Sequence, residues 1–334
     1  MKTKLDTNTL KLIGEGNRHS AFYQGNLANH LPMALVALDR LGATREQVSA
    51  FAARYASKLE PMPAPAETIT RETADAFLGR AEAFASWIFF FENEFTRAGV
   101  HGTVQRWMSR LLPGVGSFAF HGVIRLAYAV ESGDKKELAR ALASWAASYT
   151  TLGELPASSR SSASPAEVLS ALNGDPRFTR GRYTGGRITE RMARAAADPE
   201  ATRLMARAGA DKINIASLAQ AILGAYAATG DFTVLHGLTA CHAFRALMPF
   251  MEDPALGERY LWQALVCAYL SAGGPAAGKP LSGDESLPWD EIRRRAAGSH
   301  DEHDLKLAYS AWEEWKNYGD DLYRRVASAT LRCD

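Results

Sequence analysis

The chain has 334 residues, with 38 Lys and Arg against 37 Asp and Glu and a formal net charge of +1. That balance supplies no global field for nucleic acid or an anionic membrane, and the length suffices for one large core or two fused ones. Cys241, Cys267 and Cys333 lack the spacing of a disulfide scaffold, a zinc ribbon or a covalent haem site, which fits a reducing cytoplasm.

The opening stretch MKTKLDTNTLKLIGEGNRH has lysines without an apolar run behind them and does not read as an export signal. Beyond it helical periodicity dominates, without alternating strand-type runs. Helices are expected over Pro32 to Leu41, Thr44 to Leu59, Thr70 to Ala98, Thr103 to Leu112, Phe118 to Glu131, Lys135 to Thr151, Pro165 to Leu172, Ile188 to Ala197, Ile213 to Thr229, Thr239 to Met251, Pro254 to Ala272, Trp289 to Ala297 and Glu302 to Ala329. Thr44 with Gln47 has capping-box spacing, Thr70 has Glu72 in its first turn, Asp134 precedes Lys135 and Glu137, and Gly99, Gly133, Gly153 and Gly230 are natural stops. The most apolar segment, Ala83 to Phe91, is too short to span a bilayer and reads as a core helix. Pro61 to Pro65 reads as an extended connector, and Pro156 to Pro165 and Gly273 to Pro288 as surface loops. The fold class is therefore all-α, with one large helical domain over residues 1–334 enclosing a buried metal site.

The metal site is read from the histidines. Six of eight lie in four mostly apolar segments: His30 in NHLPMALVAL, His121 in FAFHGVIRLAYA, His236 and His242 in VLHGLTACHAFRALMPF, and His300 and His303 in SHDEHDLKLAYSAW. A polar ring among core residues needs a hydrogen-bond partner or a metal. His236 and His242, six apart, would point about 120° away from each other on one continuous helix, so His236 ranks first as a ligand and His242 as a supporting catalytic group or alternate ligand. His303 and Lys306 share a helix face, with His300 and Asp304 on a neighbouring one; the plain alternative is a charged helix start led by Asp301 and Glu302. His121-Gly122-Val123 and His236-Gly237-Leu238 form a short echo in which glycine admits a close neighbour. Arg125, one turn after His121, could neutralise a substrate phenolate or carboxylate, or serve a buried ion pair. Trp87, Phe89, Phe90, Phe91, Phe118, Phe120, Trp145, Trp262, Trp312 and Trp315 supply aromatic surface for a core or a pocket.

NHLPMALVALDRLGA, FHGVIRLAYAV, LHGLTACHAFR and DEHDLK, in this order, resemble the questin oxidase-like family, which includes fungal enzymes that oxidatively open anthraquinone-type polyketide rings. The resemblance implies a non-haem Fe(II) oxygenase of secondary metabolism, a dioxygenase or a Baeyer-Villiger-type enzyme, acting on an aromatic or polyketide-like small molecule and dioxygen. It implies His30, His121, His236 and His303 as iron ligands, with Lys306 carboxylated by carbon dioxide to a carbamate. Burial lowers a lysine pKa in the direction this addition needs, and imidazoles with one anionic oxygen suit iron. Two other readings stand beside it: a Zn(II)- or Mn(II)-dependent hydrolase, and a non-enzymatic helical scaffold, although no regular repeat supports the latter. GxSxG, Walker A and GxGxxG patterns are absent, so flavin and nucleotide chemistry gain no support.

Overall fold

Side chains that accept backbone N–H bonds start nine of the helices in the computed structural model, which describes residues 4–25, 27–157, 161–172, 175–178, 182–183, 185–273 and 286–331. In chain order the helices are α1 (Thr7–Gly16), α2 (Leu31–Leu41), α3 (Arg45–Ala56), α4 (Phe84–Ala98), α5 (Val100–Leu111), α6 (His121–Ser132), α7 (Lys135–Ala147) and α8 (Pro165–Ser170). There follow α9 (Ile188–Ala196), α10 (Pro199–Met205), α11 (Ile215–Thr229), α12 (Phe232–Leu247), α13 (Pro254–Ser271), α14 (Trp289–Gly298), α15 (Glu302–Tyr318) and α16 (Leu322–Thr330). The Thr44–Gln47 capping box closes at both bonds, and Asp134 accepts from Glu137 N at 2.8 Å. Each such cap is worth about 1 kcal/mol.

Several expectations need correction. The helix expected from Thr70 begins only at Phe84, because Gly79 takes a left-handed conformation and donates its N–H to Ala146 O at 2.9 Å, leaving two short 3-10 turns upstream. The helix expected to run from Glu302 to Ala329 breaks at left-handed Gly319 into α15 and α16. α12 starts at Phe232 rather than Thr239, capped by Asp231, which accepts from Thr233 N and Val234 N. Phe118 to Phe120 lie in a turn ahead of α6 rather than inside it. α1 and α10 were not anticipated, and Phe22–Tyr23 pairs antiparallel with Leu27–Ala28 in a small sheet just before α2. The segment around Pro156 to Pro165 falls partly, Gly273 to Pro288 mostly and Cys333 wholly outside the described residues.

One contiguous apolar core runs through helices on both sides of Pro156 to Pro165. At its centre α2 packs on α6, α6 on α12, α12 on α15 and α15 back on α2, a closed ring of four helices. The histidine-glycine echo marks where two ring helices meet helices outside the ring, α6 against α7 and α12 against α11 and α13. A Cβ on Gly122 would sit 2.5 Å from Trp145 Cδ1, and one on Gly237 would sit 3.0 Å from both Ile222 Cγ1 and Leu265 Cδ2, so the absent side chain lets a neighbouring helix close in. Ala83 to Phe91 enters the core through Trp87 and Phe91, with Phe89 on the surface. No helix among the described residues is long and apolar enough to cross a membrane.

Candidate metal centre

The four ring helices bring their N-terminal ends to one place, and each delivers a histidine there: His30 as the residue capping α2, His121 as the first residue of α6, His236 in the second turn of α12 and His303 as the second residue of α15. Neither α2 nor α6 has a side-chain cap, so both carry a histidine where a capping residue would ordinarily sit or follow. Going round the cluster, ring centroids are 4.7 Å apart for His30 and His121, 5.0 Å for His121 and His236, 5.3 Å for His236 and His303, and 4.9 Å for His303 and His30.

Three of the rings are oriented through Nδ1. His121 Nδ1–H donates to Phe118 O at 2.5 Å, His236 Nδ1–H to Phe232 O at 2.7 Å, and His303 Nδ1–H to Asp301 Oδ1 at 2.9 Å. The same Asp301 oxygen accepts the His303 backbone N–H, so one carboxylate fixes both the helix start and the ring. The carbonyl offered to His121 belongs to a left-handed turn, with φ of 52°, 52° and 66° at Phe118, Ala119 and Phe120. Each such non-glycine residue costs roughly 1–2 kcal/mol, a strain of the kind that collects at functional sites.

With Nδ1 protonated, the neutral rings present a lone pair at Nε2. Burial pushes the His121 imidazolium down to about 3 and those of His30 and His236 well below the ordinary range, and it also lowers His303; neighbouring Lys306 and the other rings add to the effect. His30 Nε2 lies 2.7 Å from His121 Nε2, and His303 Nε2 is buried with no hydrogen-bond partner among the described residues. An unpartnered buried acceptor beside other ring nitrogens leaves a bonding position that a water or a cation would satisfy. Lys306, fully buried on α15, places Nζ 3.4 Å from His30 Nδ1, and burial brings its ammonium down to about 8 against the opposing pull of Glu302 and Asp301.

The other sequence candidates sit elsewhere. α12 is continuous past both of its histidines, so His242 faces away from the cluster, with Nδ1 2.7 Å from Glu314 Oε1; Arg245 binds the same carboxylate. Arg125 is buried in a two-bond pair with Glu137, at 2.8 and 3.1 Å, which matches its ion-pair reading. His300 is exposed, and Asp304 accepts from Ser299 Oγ at 2.7 Å. Glu302 belongs nearer the centre than the sequence suggested: its Oε1 is 3.5 Å from His30 Nδ1, and it groups with His30 and His303 as a set that could hold a metal ion. Its position as the first residue of α15, directly before His303, was the available signal. Phe232 was missed outright because the helix it begins was expected to start later.

The family model described as questin oxidase-like matches residues 27–311, a span that includes all four clustered histidines and Lys306. No curated protein matches the chain.

Proposed function

The chain belongs to the questin oxidase-like family, and from that membership together with the four inward-facing imidazoles we propose that it is a non-haem Fe(II) oxygenase that oxidatively cleaves or otherwise oxygenates an aromatic or polyketide-like small molecule. The observation that carries the reading is the His303 Nε2 atom, buried and unpartnered among the described residues beside three more imidazoles held neutral.

The donor set fits the metal. His30, His121, His236 and His303 would hold Fe(II) through nitrogen, and Lys306 would add the anionic oxygen as a carbamate. Bound iron would supply the electron chemistry with dioxygen that amino-acid side chains lack. Phe118 O, Phe232 O and Asp301 keep three rings from rotating, and Glu302 stands ready to accept a proton held at His30 Nδ1. A neutral Lys306 amine forms a carbamate by bonding its nitrogen to the carbon of carbon dioxide and releasing one proton to buffer.

Metal analysis of protein purified without added metal tests the proposal, together with oxygen uptake by iron-loaded and zinc-loaded samples on hydroxyanthraquinones and simpler phenols. Stoichiometric iron and uptake confined to the iron form are expected, without added flavin or NADPH. Hydrolytic turnover by the zinc form, with no oxygen uptake by either, would overturn it.

Asp301 offers a finer test. Removing the carboxylate charge in Asp301→Asn weakens the bond that orients His303, and supporting groups of this kind typically contribute about 10–100-fold to metal affinity. Iron affinity measured against a chromophoric chelator should fall by that order. An unchanged affinity would show that packing alone holds His303.

A further inference from the structure

The cluster is closed on one side and open on another: His30 and His236 are buried, whereas His121 and His303 are partly exposed. Phe232 stands on the open side. Its ring centroid is 4.7 Å from that of His236 and 4.7 Å from that of His303, at interplanar angles of 76° and 64°, yet half of the residue remains exposed to solvent. A single exposed hydrophobic residue is ordinary; one that also contacts two cluster imidazoles is not explained by chance exposure. Its backbone cannot drift, because Phe232 O accepts the Nδ1–H of His236 and Asp231 caps the helix immediately before it. The first position of a helix makes no demand for an aromatic side chain, and leaving half of the residue wet forfeits apolar burial.

We propose that Phe232 is the platform on which a planar aromatic substrate stacks at the mouth of the imidazole cluster. The ligand class is a flat phenolic or quinone-type ring system, whose face covers the exposed part of Phe232 and meets the partly exposed ring of His303 beside it. Offset and edge-on ring contacts add to simple area burial, so the ring itself, and not apolar bulk alone, sets the affinity. This rests on the oxygenase reading for its substrate, but binding can be measured without turnover.

The test uses the protein as purified, under nitrogen, titrated with a dihydroxyanthraquinone and followed by quenching of tryptophan fluorescence, with metal content measured in parallel. Phe232→Ala and Phe232→Leu should each raise Kd about tenfold, Phe232→Tyr should stay within about twofold, and metal content should be unchanged in all three. Full affinity in the Leu variant would show that bulk suffices and would overturn the platform. So would wild-type protein that binds none of the probe, or an Ala variant that loses metal while the fraction retaining it binds normally. Tight binding by wild type without any oxygen uptake would sink the oxygenase and leave the platform standing.

Discussion

Lys306→Met should raise the stability of the metal-free protein at neutral pH while abolishing metal retention. Lys306 is fully buried, and its folded-state pKa of about 8 lies below the ordinary 10.5. Between those values the unfolded chain binds the proton and the folded chain does not, so stability rises with pH from about 8 to about 10.5 and is lowest below that window. At about 1.4 kcal/mol per pH unit, the penalty at pH 7 is about 3 kcal/mol, which methionine of similar length removes. Chemical denaturation of chelator-treated samples should show the gain, shrinking as pH approaches 10. Under the carbamate proposal the same variant should lose iron and turnover beyond rescue by bicarbonate, whereas wild-type protein stripped of metal and carbon dioxide should recover when both return. A variant that kept full iron occupancy and activity would end the carbamate proposal and leave Glu302, 3.5 Å from His30 Nδ1, as the nearer carboxylate.

The second large effect is acid sensitivity of the metal-free fold. Below about pH 6.5 the unfolded chain takes up a proton at each of His30, His121, His236 and His303. The folded chain resists at all four, down to about 3 in the case of His121. The unfolded state therefore binds more protons, and unfolding free energy falls as pH falls. Each imidazole that stays neutral contributes about 1.4 kcal/mol per pH unit, so the three pushed furthest down, His30, His121 and His236, give about 4 kcal/mol per unit and His303 adds in the same direction. Against a total stability of about 5–15 kcal/mol, chelator-treated protein should be half unfolded between about pH 3 and pH 5. His236→Gln should reduce the slope of stability against pH by about one proton. A flat profile between pH 6.5 and 4.5 would mean that the rings protonate inside the fold.

The helices were legible because their apolar spacing and caps are local properties, and the four histidines were legible because each interrupts an apolar run. What sequence could not supply was partnership across the ring of helices. Nothing near His242 announces Glu314, and nothing near Arg125 announces that Glu137 on the next helix occupies it on two atoms. The error at the start of α12 had a specific cause: Gly230 reads as a helix stop, and Asp231 next to it was not credited as the cap that begins a new helix at once. That error hid Phe232. The wide spacing of the histidines also has a physical origin. Helices that meet at their N-terminal ends cannot be joined by short turns, so the intervening helices must carry the chain back each time.

That shared polarity sets an electrostatic condition on the site. Each helix start carries the equivalent of roughly half a positive elementary charge from its aligned peptide dipoles, and four of them point at the histidine cluster. The field comes from the backbone, so no side-chain substitution removes it. It opposes an imidazolium or an ammonium at the centre and adds to the positive charge that the Asp301 and Glu302 carboxylates beside the cluster must offset. Under the carbamate proposal, a negative group at the end of Lys306 would join Glu302 and Asp301 in balancing that field, where the free side chain would otherwise carry a positive charge.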